Sequence, residues 1–121
     1  MVVDSSVFFE ILSNGPLREK CEKHIHKTSV YVPTIVLFEI YRKLKSKVSE
    51  HEALAAVAAL RANTVVDATT EVALLAGDLS LEYKLSMADS FVLAHAHLLE
   101  CPLLTLDNDF ASAPGTIIIR I

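Results

Sequence analysis

Five short apolar runs are spread along this chain of 121 residues, and sequence with helical character separates each run from the next. Parallel strands need a crossover connection, which is usually a helix, so this alternation predicts a parallel sheet with helices on both faces. We therefore predict one α/β domain over residues 1–121, a three-layer α/β/α arrangement around about five parallel strands. The strands are expected at Val2–Asp4, Val30–Val32, Thr64–Val66, Leu103–Thr105 and Thr116–Ile119.

Apolar spacing and capping residues predict the helices between these runs. Leu37, Ile40 and Leu44 recur at three- and four-residue intervals, which places them on one face of a helix. Ser49 followed by Glu52 matches a capping box at the start of another helix. Helices are expected at Ser5–Ser13, Leu17–His26, Thr34–Lys47 and Glu50–Ala62, then from Thr69 or Thr70 to about Tyr83, and at Met87–Leu99.

The composition is that of a packed domain in a reducing compartment. Hydrophobic residues make up 52% of the chain and charged residues 21%, which argues against disorder. No apolar run approaches the roughly 18 residues of a membrane span, and the N-terminus has no signal-peptide pattern. Cys21 and Cys101 are far apart and have no metal-binding spacing, so we expect free thiols and a cytoplasmic protein.

Charge is distributed unevenly along the chain. The net charge is −4, yet residues 1–50 carry eight Lys/Arg and six Asp/Glu, a balance of +2. Two solvated helix faces would explain this basic half. Phosphate binding is the alternative, because bound Mg²⁺ would add positive charge where acidic residues gather.

Acidic residues follow two of the predicted strands. Asp4 comes at the very end of the first, and Asp107 lies just beyond the fourth. The carboxyl ends of parallel strands share one edge of a sheet, so both side chains belong at that edge, as does Asp67. Asp4 alone is equally explained as the N-cap of the first helix.

Three more acidic residues also have two interpretations each. Asp89 completes an S-x-x-D capping pattern, but a residue at a helix N-terminus also faces the sheet edge. Glu39 lies in an apolar stretch of its helix, where a carboxylate needs a partner unless it is simply solvated. Asp107 and Asp109 flank an Asn, which fits either an Asx turn or a ligand loop.

Four segments carry a family resemblance that extends over the whole chain. They are MVVDSS at 1–6, PTIVLFEIYRKL at 33–44, SMADSFVLAHA at 86–96 and LLTLDNDFAS at 103–112. In these segments the chain resembles the PIN-domain ribonucleases, in particular the VapC-like toxins. The four acidic positions of that family fall on Asp4, Glu39, Asp89 and Asp107, and Asp109 matches a neighbour that is often acidic.

The resemblance implies a metal-dependent endoribonuclease. Its four acidic residues and Asp109 would bind Mg²⁺ or Mn²⁺, and the products would carry a 5′-phosphate and a 3′-hydroxyl. The hydroxyls of Ser5 or Ser6 and of Thr105 would contact the acids or the phosphate. The resemblance also implies a homodimer and a cognate antitoxin.

Arg42 and Lys43 lie about one helical turn beyond Glu39 in the sequence. We predict that they hold the RNA backbone. Without metal, the clustered carboxylates would repel one another, so some of their pKa values should be raised.

Two other functions and one other kind of metal site are alternatives for this sequence. A phosphoreceiver domain would share Asp4 and Asp67 after strands, but it requires paired acids after the first strand, where Ser5 and Ser6 stand. A PIN-like module that binds RNA or protein without cutting is the second alternative. Zinc is disfavoured at His24 with His26 and at His95 with His97, because residues two apart do not share a helix face.

Overall fold

One five-stranded parallel sheet organises the protein, and its strands occur in the spatial order β3-β2-β1-β4-β5. The structure is a computed structural model and describes residues 1–120, so Ile121 of the predicted domain lies outside the described residues. The five strands are β1 (Val2–Val3), β2 (Tyr31–Pro33), β3 (Thr64–Val66), β4 (Leu103–Thr105) and β5 (Thr116–Ile118). The prediction of an α/β fold with about five parallel strands is confirmed.

Six α-helices and one 3₁₀ turn connect the strands. The helices are α1 (Ser5–Leu12), α2 (Arg18–Ile25), α3 (Thr34–Lys47), α4 (Glu50–Leu60), α5 (Thr70–Tyr83) and α6 (Met87–Leu98), and the 3₁₀ turn is Asn108–Phe110. Three N-caps follow the sequence pattern: Ser49, Thr69 and Ser86 each accept a hydrogen bond from the backbone N–H three residues on.

Element ends differ from the sequence predictions by one or two residues. Asp4 is not part of β1 but occupies the N-cap position of α1, although its N–H still donates to the Leu104 carbonyl at 2.9 Å. Strand β2 begins at Tyr31 rather than Val30 and includes Pro33. A proline is tolerated there because the last residue of a strand can do without a donor.

The two central strands form the middle of the hydrophobic core. Val2, Val3, Leu103 and Leu104 are all completely buried, as expected for a parallel sheet covered by helices. Cys21 is a buried free thiol and Cys101 a half-buried one. Among residues 1–120, no helix has both the length and the apolar character that crossing a bilayer requires.

Strand order reverses between β1 and β4. From β1 the chain proceeds outward through β2 to β3 on one side of the sheet, whereas β4 and β5 lie on the other side. Ligands of open parallel sheets bind outside the carboxyl ends of the strands at such a point, and Asp4 and Asp107 follow these two strands.

The same order places Asp67 elsewhere. It follows β3, which β2 separates from β1, and its side chain is exposed. A phosphoreceiver sheet has the order 2-1-3-4-5, which would put β3 beside β1. Asp67 therefore lies at the carboxyl edge of the sheet, as predicted, but away from the ends of β1 and β4. The phosphoreceiver alternative is wrong.

Candidate active site

Asp4 is a buried carboxylate at the junction of β1 and α1, with only 3% of its surface exposed. Its Oδ2 accepts hydrogen bonds from the Thr105 hydroxyl at 2.8 Å and from the Ser6 hydroxyl at 2.9 Å. The carboxylate makes no capping hydrogen bond to α1, so the N-cap interpretation of this side chain is wrong. The Asp4 carboxylate is instead held from β4, through a residue 101 positions later in the chain.

Ser6 and Thr105 each have one hydroxyl proton, and both protons are directed at Asp4. Their oxygen lone pairs accept from the backbone: Leu106 N–H donates to Ser6 Oγ and Asp107 N–H donates to Thr105 Oγ1, both at 3.0 Å. The two hydroxyls therefore join the start of α1 to the end of β4. This network fixes Asp4 relative to the backbone that carries Asp107.

Asp107 begins the 3₁₀ turn after β4. Its Oδ1 accepts from the Asp109 backbone N–H at 2.9 Å, which is the Asx turn that the sequence allowed. The turn brings the carboxylates of Asp107 and Asp109 to the same end of the sheet, and buried Phe110 anchors it from behind. Asp107 and Asp109 therefore form the Asx turn, and they are also the residues of the predicted ligand loop.

Asp89 occupies the third position of α6. Its backbone N–H donates to Ser86 Oγ at 3.3 Å, which confirms the capping pattern. A side-chain hydrogen bond with Ser86 also lowers the pKa of Asp89, against the larger effect of burial, which raises it. The Ser90 hydroxyl donates to the Ser86 carbonyl at 2.7 Å and fastens the same turn. Asp89 is half-buried there.

Three of the carboxylates form a compact oxygen cluster. One ligand oxygen from each of Asp89, Asp107 and Asp109 lies within 4.8 Å of the other two. Among residues 1–120 this is the only such group of Asp, Glu, His or Cys side chains, and it contains no histidine. The zinc interpretation of the histidine pairs therefore gains no support. Asp4 and Glu39 are not members of the three-residue cluster.

Electrostatic repulsion nevertheless links Asp4 and Glu39 to this cluster. Burial, reinforced by the charges of Asp4, Asp107 and Glu39, raises the pKa of Asp89 to about 7. Burial raises the pKa of Asp4, and the charge of Asp107 adds to this effect. The hydrogen bonds from Thr105 and Ser6 lower the pKa and offset part of the increase. Burial and the charge of Asp4 also raise the pKa of Glu39. The raised pKa values expected for clustered carboxylates are present.

The predicted substrate-binding residues divide into two groups. Ser6 and Thr105 belong to the hydrogen-bond network around Asp4. Ser5 is buried, and its hydrogen bond with Glu39 lowers the pKa of Glu39, whereas the burial of Glu39 and the charge of Asp4 raise it. Arg42 and Lys43 are instead exposed on α3, where they line a surface groove together with Glu39. Lys43 Nζ lies 4.3 Å from the centroid of the Phe9 ring.

The sequence reasoning overlooked two residues of this groove. Phe38 has 59% of its surface exposed although it stands among the apolar residues of α3, so that part of the helix is not enclosed all round. Lys47 lines the groove with it. Neither residue belongs to a motif. The only sequence indication that Phe38 is exposed is its position outside the stripe of Leu37, Ile40 and Leu44.

Comparison with known proteins gives one family and many structural relatives. The family model described as "PIN domain" matches residues 1–115. A comparison with curated protein sequences gives no significant match.

The structural relatives cover nearly the full length of both chains. A toxin–antitoxin complex from Klebsiella pneumoniae superposes with a TM-score of 0.83 at 22% identity, covering 99% of this chain and 98% of the other. VapC20 of Mycobacterium tuberculosis, a toxin that cleaves the sarcin-ricin loop, gives 0.80 at 19% identity, with 99% and 98% covered. DNA-bound VapBC from Salmonella typhimurium gives 0.74 at 20% identity, with 98% and 95% covered. At these identities the structures establish the fold, and since the family model spans nearly all of the sequence, the chain belongs to the PIN domain family.

Proposed function

We propose that this protein is a metal-dependent endoribonuclease, the toxin of a toxin–antitoxin pair. The observation that carries the proposal is the convergence of Asp89, Asp107 and Asp109 within 4.8 Å, beside the buried carboxylate of Asp4. So many acids are costly to keep together unless a cation offsets their repulsion. The raised pKa of Asp89, about 7, is the sign of that cost.

The donor set suits a hard divalent cation. All three clustered side chains offer carboxylate oxygens, which Mg²⁺ and Mn²⁺ prefer over the nitrogen and sulfur ligands typical of zinc. Asp89, Asp107 and Asp109 would hold the ion, with Asp4 and Glu39 completing the site. Such an ion supplies Lewis-acid polarisation of a phosphate and lowers the pKa of a bound water.

The remaining chemistry belongs to the side chains of this protein. Ser6 and Thr105 hold Asp4 in place and favour its ionised form against the larger, opposite effect of burial, because both hydroxyls donate to the same carboxylate oxygen. Glu39, whose pKa is raised by burial and by the charge of Asp4, would orient an attacking water and accept its proton. Arg42 and Lys43 would pair with phosphates of the RNA strand.

Partners and location are part of the same proposal. Two of the compared structures are complexes of a toxin with its antitoxin, and VapC20 is a toxin that cleaves RNA at the sarcin-ricin loop. By analogy we propose a cognate antitoxin that blocks the acidic site, a homodimer, and action in the cytoplasm.

Cleavage of cellular RNA tests the proposal. Purified protein is incubated with mixed RNA in EDTA, Mg²⁺ or Mn²⁺, and new 5′ ends are mapped by sequencing. We expect discrete cuts with 5′-phosphates only when metal is present, and a loss of about 100-fold or more in Asp89→Asn. Equal cutting by this variant would indicate a contaminating nuclease. RNA binding without cutting in any metal would favour the non-catalytic module instead.

A further inference from the structure

A surface groove continues from Glu39 along α3 and has a basic and aromatic lining. It has a volume of about 440 Å³, and its walls include Phe38, Glu39, Arg42, Lys43 and Lys47. Residues four apart on a helix are neighbours, so Phe38 stands beside Arg42 and Glu39 beside Lys43. With Phe9 also in its wall, the groove places two aromatic rings and three cations next to Glu39, an acid of the candidate active site.

A second groove connects this wall to the hydroxyl network. It has a volume of about 630 Å³, shares Lys43 and Lys47 with the first, and extends to Ser6 and Leu106 at the sheet edge. Ser6 donates to Asp4, so the two grooves together form a path from that carboxylate to Lys47. A strand lying in this path would meet the acids at one end and the cations along its length.

Phe38 is the only exposed phenylalanine among residues 1–120, and packing does not account for its position. Fully burying such a ring would contribute roughly 1.5–3 kcal/mol, yet 59% of its surface is exposed. By contrast, the groove's other phenylalanine, Phe9, is partly buried and supports Lys43 at 4.3 Å. An exposed ring flanked by cations is the arrangement that proteins use to stack the bases of unpaired nucleic acid strands.

We propose that this groove binds single-stranded RNA, with Phe38 stacking on an unpaired base next to the cut phosphate. Arg42, Lys43 and Lys47 would pair with the backbone phosphates on the same side. This inference rests on the proposed nuclease function. It adds a base-stacking side chain to that function, and the stacked base must be unpaired, since a base within a duplex cannot offer its face to a side chain.

Charge favours RNA over a protein as the occupant. The whole protein carries −4, but α3 from Thr34 to Lys47 contains four cations and one acid, Glu39. Each phosphate of a bound strand would be met by a cation here, and binding would weaken as salt concentration rises.

Fluorescence anisotropy with two fluorescein-labelled probes tests the proposal. One probe is a 12-nucleotide single-stranded RNA of random sequence, and the other is a fully paired RNA duplex. Both are titrated in Mg²⁺ with the Asp89→Asn protein, which prevents cutting. Phe38→Leu should weaken binding of the single strand by roughly 5- to 150-fold, the range that one stacked base spans, and should leave the weaker duplex binding unchanged. Phe38→Trp should retain single-strand binding.

Matched variants distinguish the groove from the rest of the surface. Lys47→Gln should reduce the salt dependence of binding by about one counterion, whereas Lys23→Gln on α2 should not. Leu81→Ala, which removes an exposed apolar side chain of α5, should have no effect on the single strand.

Three outcomes would overturn this inference. They are unchanged single-strand affinity in Phe38→Leu, equal losses for both probes, and a Phe38→Leu variant whose oligomeric mass changes while its RNA affinity does not. The last would assign the ring to a protein contact. Metal-dependent cutting by wild-type protein is measured in parallel, so failure of the nuclease proposal and failure of the stacking proposal give different results.

Discussion

Thr105 on β4 and Thr116 on the adjacent strand β5 have the same side chain, but only the hydroxyl of Thr105 forms hydrogen bonds. Thr105 donates to Asp4 and accepts from the Asp107 N–H. Thr116 Oγ1 is buried and has no hydrogen-bond partner among residues 1–120. At the scale of single residues, Thr105 is therefore held by the hydrogen bonds around Asp4, whereas the buried, unpaired hydroxyl of Thr116 lowers the stability of the fold.

Substitution by valine separates these two roles, because valine keeps the shape and removes the hydroxyl. Thr105→Val should lower the free energy of unfolding by about 1–3 kcal/mol, since it leaves the Asp107 N–H unpaired and removes one of the two hydroxyl hydrogen bonds to Asp4 Oδ2. It should also weaken Mg²⁺ binding. Thr116→Val should be neutral or stabilising by up to about 1 kcal/mol. Urea unfolding and calorimetric titration measure both effects, and equal stability losses would contradict the hydrogen-bond network.

Asp89 should make the stability of the metal-free protein depend on pH. Burial and neighbouring carboxylates raise the pKa of Asp89 to about 7 from an ordinary value of 3.8. The folded protein therefore binds this proton more tightly than the unfolded chain does. The resulting stabilisation is complete below pH 3.8 and is lost as the pH rises through 7.

The variant Asp89→Asn, which cannot ionise, isolates this effect. In EDTA the wild type should lose roughly 1 kcal/mol more stability than the variant between pH 6 and 8, after allowance for solvent screening. Burial also lowers the pKa of His95, but both proteins contain this residue and its contribution cancels. Chemical unfolding across this range provides the measurement. Parallel pH profiles would mean that Asp89 is not repelled by its neighbours.

At the scale of elements, the sequence predicts which segments carry the acids better than it predicts what those acids contact. The S-x-x-D pattern located Asp89 at the start of α6, and the apolar run before Asp107 located the end of β4. Local spacing could not reveal the bond between Asp4 and Thr105, which spans 101 positions. It also allowed a cap at Asp4 that the side chain does not form, because tertiary hydrogen bonds replaced the local one.

Helices α6 and α4 have N-caps of the same kind, and a comparison of the two tests whether α6 positions the candidate site. Ser86 caps α6 and Ser49 caps α4, each by accepting from a backbone N–H three residues on. Alanine at either position should cost about 0.5–2 kcal/mol of stability. Only Ser86→Ala should also weaken Mg²⁺ binding and RNA cutting, because α6 positions Asp89. Comparable losses of activity in Ser49→Ala would show that these assays report general stability.

At the scale of the whole molecule, strand order decides which acids meet. The alternation of strands and helices was sufficient to predict a parallel sheet, but composition and periodicity did not predict the order β3-β2-β1-β4-β5. That order brings Asp4 and Asp107 together and leaves Asp67 beyond β2. The exposure of Phe38 was likewise unpredictable, since it depends on how α3 packs against its neighbours.

The central claim is that distant carboxylates meet to hold a divalent cation, and crystals soaked in millimolar Mn²⁺ test it most directly. Anomalous scattering locates manganese independently of any assay for RNA. We predict a peak within about 2.5 Å of carboxylate oxygens of Asp89 and Asp107, on the side where Asp109 lies. The absence of a peak there, or manganese bound only at acids outside this cluster, would contradict the account.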